Sequence, residues 1–203
     1  MKKILLLTLL FILFVLKSEA QSVNEPANWP NENWSLSGDF DADHLDANPT
    51  ISNGDASFSF NDDDAGGASV NNVAVESPII DLTAAIGAGE TNITVFFGYV
   101  YNIFQNETLS LQYWDADSTQ WVDWEAELMP NSGAQDDFCD SNPNTFTSPE
   151  LSIQSFSSNQ LQNFQYRIFY DDNGAFGWGF CVDSPIMSSS MPPACPSVSN
   201  LIV

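Results

Sequence analysis

The sequence predicts an all-β domain, a two-sheet antiparallel jelly-roll sandwich. Three observations carry that prediction. Apolar residues recur at period two in several segments, turn signals rich in Asp, Asn, Gly and Ser separate those segments, and no window sustains a helical period with caps.

Residues 1–20 read as a signal peptide. Lys2 and Lys3 open it, Ile4 to Leu16 form an apolar run broken only by Thr8, and Ser18 and Ala20 are the small residues before cleavage at Gln21. The run is shorter than the roughly 20 residues that span a bilayer, so an exported chain with no membrane span after leader removal is expected. Residues 21–33 read as a polar N-terminal arm, and residues 34–188 as the sandwich. Within it, Ala56 to Phe60 alternates Phe58 and Phe60 with small or polar residues, and Val70 to Leu82 holds a second run. Leu82 to Ile86 makes a single helical turn at most. In Asn92 to Tyr101, the residues Ile93, Val95, Phe97, Tyr99 and Tyr101 share one face. Phe96 and Val100 make the other face apolar too, which predicts a central strand covered on both sides.

Leu109, Leu111 and Tyr113 mark the next strand, and Asp115 to Thr119 a turn. Trp121 to Leu128 follows, then a long loop from Met129 to Ser148. Phe164, Tyr166, Ile168 and Tyr170 form another period-two face, closed by the hairpin turn Asp171-Asp172-Asn173-Gly174. The last strand runs from about Phe176 to Met187. Residues 189–196 read as a Ser/Pro-rich linker, and residues 197–203 as the opening of a further strand.

The formal net charge is −23, and three of the four Lys and Arg residues fall in the leader, leaving Arg167 alone in the remainder. So negative a surface repels nucleic acid and anionic lipid. It also attracts divalent cations, since carboxylates are the ligands calcium prefers. Asp39, Asp41, Asp43 and Asp46, and then Asp62, Asp63 and Asp64, suit either a loop-built Ca2+ site or solvated loops. An EF-hand is excluded, because His44 stands at its glycine position and Thr50 at its glutamate. Of the three cysteines, Cys139 is expected to pair with Cys181, because Cys195 lies beyond the domain.

Strand alternation places Asp123, Glu125 and Glu127 on one face, opposite Val122, Trp124, Ala126 and Leu128. Rows of carboxylates serve some β-sandwich glycosidases, but the order here, Asp-x-Glu-x-Glu, departs from theirs, and an amphipathic strand accounts for the same pattern. His44 is the only histidine, so neither a zinc site nor a serine or cysteine triad can be assembled convincingly. The expectation is a non-catalytic module that binds an extracellular glycan or protein. Trp121, with Asp123 and Glu125 beside it, is the expected contact surface, because sugar C–H faces stack on rings while hydroxyls bond to acids.

Three segments in order carry a family resemblance. They are Glu76-Ser77-Pro78-Ile79-Ile80-Asp81-Leu82, then Phe164 to Asp171, then Gly177-Trp178-Gly179-Phe180-Cys181-Val182-Asp183. Together they resemble the MAM-like, concanavalin-like jelly-roll modules of secreted bacterial multidomain proteins, over roughly Trp34 to Ser188. Ala194 to Leu201 resembles the first strand of a fibronectin type III domain, cut short. The resemblance implies a jelly roll with an adhesion or recognition role at the N-terminus of a larger secreted or surface protein, and no particular ligand. In related sandwiches acids near the first and last strands hold a structural cation, and Asp39, Asp41 and Asp183 match those places. The alternatives are a glycoside hydrolase acting through the strand carboxylates, or an accessory domain of a secreted hydrolase whose catalytic part lies beyond Val203.

Overall fold

Alternating side chains force each strand to bury one face, and two sheets stacked on those faces satisfy every strand at once. The computed structural model describes residues 21–51, 56–66, 71–131, 139 and 143–193. The first sheet contains β1 (Asn24–Pro26), β3 (Leu45–Ala47), β4 (Ser57–Phe60), β6 (Asn92–Tyr101), β9 (Asn144–Thr147), β10 (Leu151–Ser152), β12 (Phe180–Asp183) and β13 (Ile186–Ser190). Its axis is β6. Along one side β6 pairs with β12 and β13, and along the other with β9 and β10. Beyond β12 and β13 lie β4 and β1, with β3 on β4. The second sheet runs β2 (Ser35–Asp39), β5 (Asn72–Glu76), β11 (Tyr166–Asp171), β7 (Thr108–Asp115), β8 (Gln120–Glu125). Every pairing among these strands is antiparallel, as the sequence predicts for a sandwich of this class.

The core lies between the sheets. Ile93, Val95, Phe97, Tyr99 and Tyr101 of β6 meet Val73, Val75, Leu109, Leu111 and Ile168 of the second sheet. Tyr170 stacks on Phe180 at 4.9 Å between ring centroids and tilts against Phe60 at 6.2 Å, linking the layers. Each such side chain contributes roughly 1.5–3 kcal/mol on full burial. Cys139 and Cys181 form the expected disulfide, with Cα atoms 5.7 Å apart.

Several expectations need correction. The stretch read as a polar arm belongs to the sandwich. Its β1 pairs with β13, Val23, Ala27 and Trp29 are buried, and the buried Glu90 carboxylate accepts the Ser22 N–H. The linker starts later than expected, since Ser189 and Ser190 still pair with Ile93 and Asn92. The last strand is broken into β12 and β13 around Ser184 and Pro185, as proline cannot donate to a ladder. The long loop contains β9. β6 is central, but its outer face is only partly covered: Val100 there is buried, as expected, whereas Phe96 is 46 % exposed.

Short helices fill the connections: a 3-10 turn at Ala42–His44, α1 (Asp62–Ala65), α2 (Thr83–Ala88) and α3 (Ser158–Gln162). Helix α2 extends two residues past the turn expected at Leu82 to Ile86. Helix α3 starts with a capping box in which Ser157 and Gln160 satisfy each other's backbone N–H groups. Among the described residues no helix is long and apolar enough to cross a membrane. The signal peptide, Cys195 and the fibronectin-like tail lie outside the described residues.

Candidate functional site

The register of the second sheet sets one transverse row on its outer face: Ser35, Glu76, Arg167, Gln112 and Asp123. Strands lie about 4.8 Å apart, so five of them carry this row across roughly 19 Å. Four of its members, Glu76, Arg167, Gln112 and Asp123, are hydrogen-bonded in series through their side chains. Arg167 Nε donates to Gln112 Oε1 at 2.7 Å, and Gln112 Nε2 donates to Asp123 Oδ1 at 2.8 Å. On the other side Arg167 Nη1 lies 3.3 Å from Glu76 Oε1, which also accepts the Ser37 hydroxyl.

Aromatic rings flank the same row. The Arg167 guanidinium carbon lies 4.5 Å from the Trp121 ring centroid and 4.6 Å from that of Phe169. Trp114 meets Trp121 edge to face at 5.5 Å. All three rings are half-buried. Burial draws the Arg167 guanidinium below its usual range, and the charges of Glu76 and Asp123 act against that. The Arg167 guanidinium thus lies within cation–π distance of both rings.

Of the sequence-predicted contact residues, Trp121 and Asp123 stand on this platform and Glu125 does not. Strand β8 carries a register shift. Gln112 faces Asp123, yet the next partner along, Leu111, faces Glu125. Two residues of β8 thus oppose one of β7, and a bulge of this kind turns the residues beyond it to the other side. The shared face expected for Asp123, Glu125 and Glu127 is therefore not formed. Glu125 and Glu127 instead line a cleft of about 510 Å³ at the edge of the sandwich, with Tyr99, Met129, Asn144 and Phe146.

The three residues matched to a structural cation are not brought together either. Asp39 ends β2 in the second sheet, Asp41 caps the 3-10 turn 3.6 Å from His44, and Asp183 lies in the first sheet beside Ser57. The strands of Asp39 and Asp183 belong to opposite layers. Among the described residues no group of three His, Cys, Asp or Glu side chains is arranged to hold a metal.

One acid of the Asp62 to Asp64 run is buried. Asp62, only 2 % exposed, accepts Asn71 Nδ2 at 2.9 Å and the Tyr170 hydroxyl at 3.0 Å. Burial, with a smaller push from the nearby Asp172 carboxylate, raises its carboxyl to about 6. A carboxyl that holds its proton more tightly folded than unfolded adds stability as pH falls. The contribution is complete below about 4 and is lost as pH rises through about 6. Wild type should therefore gain roughly 1–3 kcal/mol between pH 7 and pH 4.5 relative to Asp62→Asn, measured by urea denaturation at both pH values. Equal pH dependence in the two proteins would remove this assignment.

Sequence reasoning missed two features. Phe104, Phe176 and Trp178 cluster at one end of the sandwich, with ring centroids 5.5 and 5.3 Å from Phe104, which is half exposed. Phe104 sits in a turn, where no alternation flags it. Arg167 was signalled more clearly, as a lone base on the polar side of a strand that also carries Phe169.

No family model and no curated protein matches this chain. Among solved structures it is similar to the K3 cleaved adhesin domain of Lys-gingipain from Porphyromonas gingivalis W83, with 13 % identity and a TM-score of 0.48, covering 83 % of this chain and 98 % of that one. The mannan-recognising carbohydrate-binding module TmCBM27 gives 13 % identity and a TM-score of 0.44, covering 85 % and 98 %. The second N-terminal cellulose-binding domain of Cellulomonas fimi β-1,4-glucanase C gives 9 % and 0.43, covering 87 % and 99 %. These are distant likenesses in the path of the chain.

Proposed function

We propose that the protein is a non-catalytic extracellular binding module, and that the outer face of the second sheet binds a glycan. The supporting observation is the Trp121–Arg167–Phe169 stack set within a hydrogen-bonded row of polar side chains. Pyranose rings present apolar C–H faces that stack on aromatic rings, while their hydroxyls need both donors and acceptors. This platform offers both on one sheet face. Its side chains are already fixed by each other, so little rotamer freedom remains to be lost on binding.

Charge narrows the ligand. Glu76 and Asp123 flank Arg167, and the chain as a whole is strongly negative. Uronate-rich or sulfated polymers are repelled, which favours neutral polysaccharides. The leader pattern and the Cys139–Cys181 disulfide support export.

Calorimetric titration against soluble neutral glucans, mannans and xylans, with polygalacturonate as the acidic control, tests the reading. Binding to a neutral polymer is expected, weakened at least tenfold in Trp121→Ala with the melting temperature little changed. Absence of binding to all polymers, or undiminished binding by the variant, would overturn it.

A further inference from the structure

We infer that the edge cleft is a second binding site, for a cationic group on an apolar stem such as an alkylammonium or alkylguanidinium. This inference is independent of the glycan platform, because the β8 bulge turns Glu125 away from the face that carries Asp123 and Arg167.

The cleft forms where the chain passes from one sheet to the other. After the bulge, the Leu128 N–H still donates to Leu109 O of β7, and three residues later the Asn131 N–H donates to Tyr101 O of β6. Glu127 and Met129 lie within that crossing and line the cleft together with Asn144 and Phe146 of β9. Trp124 Nε1 donates to Pro149 O at 2.8 Å, which ties the β8 edge to the segment following β9. The cleft is open to solvent, and its volume, about 510 Å³, falls within the range of small-ligand sites.

The lining combines aromatic rings with carboxylates. Tyr99 and Phe146 stand nearly perpendicular with centroids 6.5 Å apart, and Phe97 backs Phe146 at 5.1 Å. The Tyr99 hydroxyl donates to Met129 O at 2.7 Å, and burial raises its phenol further above neutral pH. The ring is therefore uncharged, with the negative face that attracts cations. Met129 is largely exposed, and its flexible thioether can pack along an alkyl stem.

Glu125 and Glu127 supply the charge, and among the described residues no basic side chain pairs with either. The two ion pairs, Asp41 with His44 and Glu76 with Arg167, lie elsewhere. The field of Glu127 reaches inward: after burial and Glu107, it is a further cause of the raised Tyr101 phenol. Two carboxylates beside aromatic faces repel anions and give neutral alcohols no charge to answer. A cation with a short alkyl stem satisfies both linings, through charge-assisted hydrogen bonds to the acids and cation–π contact with the rings.

The test is a nuclear magnetic resonance titration of the full chain with n-butylamine and agmatine, against n-butanol and butyrate. Saturable shifts of the Tyr99 and Phe146 ring signals are expected with both amines only. The double variant Glu125→Gln, Glu127→Gln should weaken amine binding at least tenfold, and Asp123→Asn should leave it unchanged. The exposed single variant Glu127→Gln serves if the double one is poorly folded. No saturable shift, an equal response to n-butanol, or full affinity in the glutamine variants would overturn the inference. A peptide bearing one lysine separates two sources of the same chemistry: tighter binding than n-butylamine indicates a partner protein's side chain, and equal binding a free amine. Either result supports the site.

Discussion

Gly179→Ala is expected to destabilise the protein by about 3–5 kcal/mol, a loss at the upper end for single substitutions. Gly179 has φ of +96°, outside the regions open to a residue with a side chain. A Cβ there would overlap the Phe60 carbonyl oxygen and approach the Asp62 nitrogen at 2.9 Å. Neither is a flexible side-chain end. Phe60 is fixed by pairing with both Phe180 and Leu45, and the Asp62 nitrogen opens helix α1. Relief would require β4 to move off β12, exposing Phe58, Phe60 and Phe180. Gly87→Ala is the control, since it lies inside α2 with open space around its Cβ and should be neutral or slightly stabilising. Urea denaturation of both variants separates the two cases. A cost below 1 kcal/mol for Gly179→Ala would mean that β4 and β12 are not this tightly apposed.

Gly179 also shows why part of this structure was legible beforehand. The Gly177-Trp178-Gly179 segment could be noticed as a motif, but its reason is tertiary. A Cβ on Gly177 would meet the Tyr170 hydroxyl and the Asp62 carboxylate, and one on Gly179 the β4 backbone. Strand β6 was readable because apolar residues recur at every second position from Ile93 to Tyr101, and its inner face is the one the sequence indicates. Its outer face was readable in part, since apolar character at Phe96 and Val100 reads as burial, and Val100 is buried whereas Phe96 is 46 % exposed. The N-terminal segment looks polar residue by residue, yet β13 offers it a free edge and Trp29 a place in the core, and no local pattern announces a long-range pairing.

The candidate site failed at one point for the same reason. Trp121 and Asp123 keep the parity that alternation assigns. Glu125 does not, because a bulge is defined by the partner strand, and the partner's register cannot be read from β8 alone. Asp62 is a parallel case. Three consecutive aspartates read as solvated, but the Asn61 side chain caps the N-terminus of α1, and the resulting turn buries the first of them.

Arg167 is the residue on which the platform's geometry depends most, and Arg167→Ala is expected to cost about 3 kcal/mol of stability together with most glycan affinity. Its side chain and that of Glu76 are only 16 % and 18 % exposed, so removing the cation strands a poorly hydrated carboxylate, the situation that makes breaking a buried pair expensive. Gln112 Oε1 loses its donor, and Trp121 loses the cation packed against its ring. Arg167→Lys separates charge from shape. An ammonium can still answer Glu76, but it has neither the Nε–H directed at Gln112 nor the flat surface that lies between Trp121 and Phe169. The lysine variant should therefore recover at least half of the lost stability in urea denaturation, while its affinity for the best neutral polysaccharide stays at least tenfold below wild type. Equal affinity in the lysine variant and wild type would mean that charge alone organises this face, and the planar stack would then have no part in recognition.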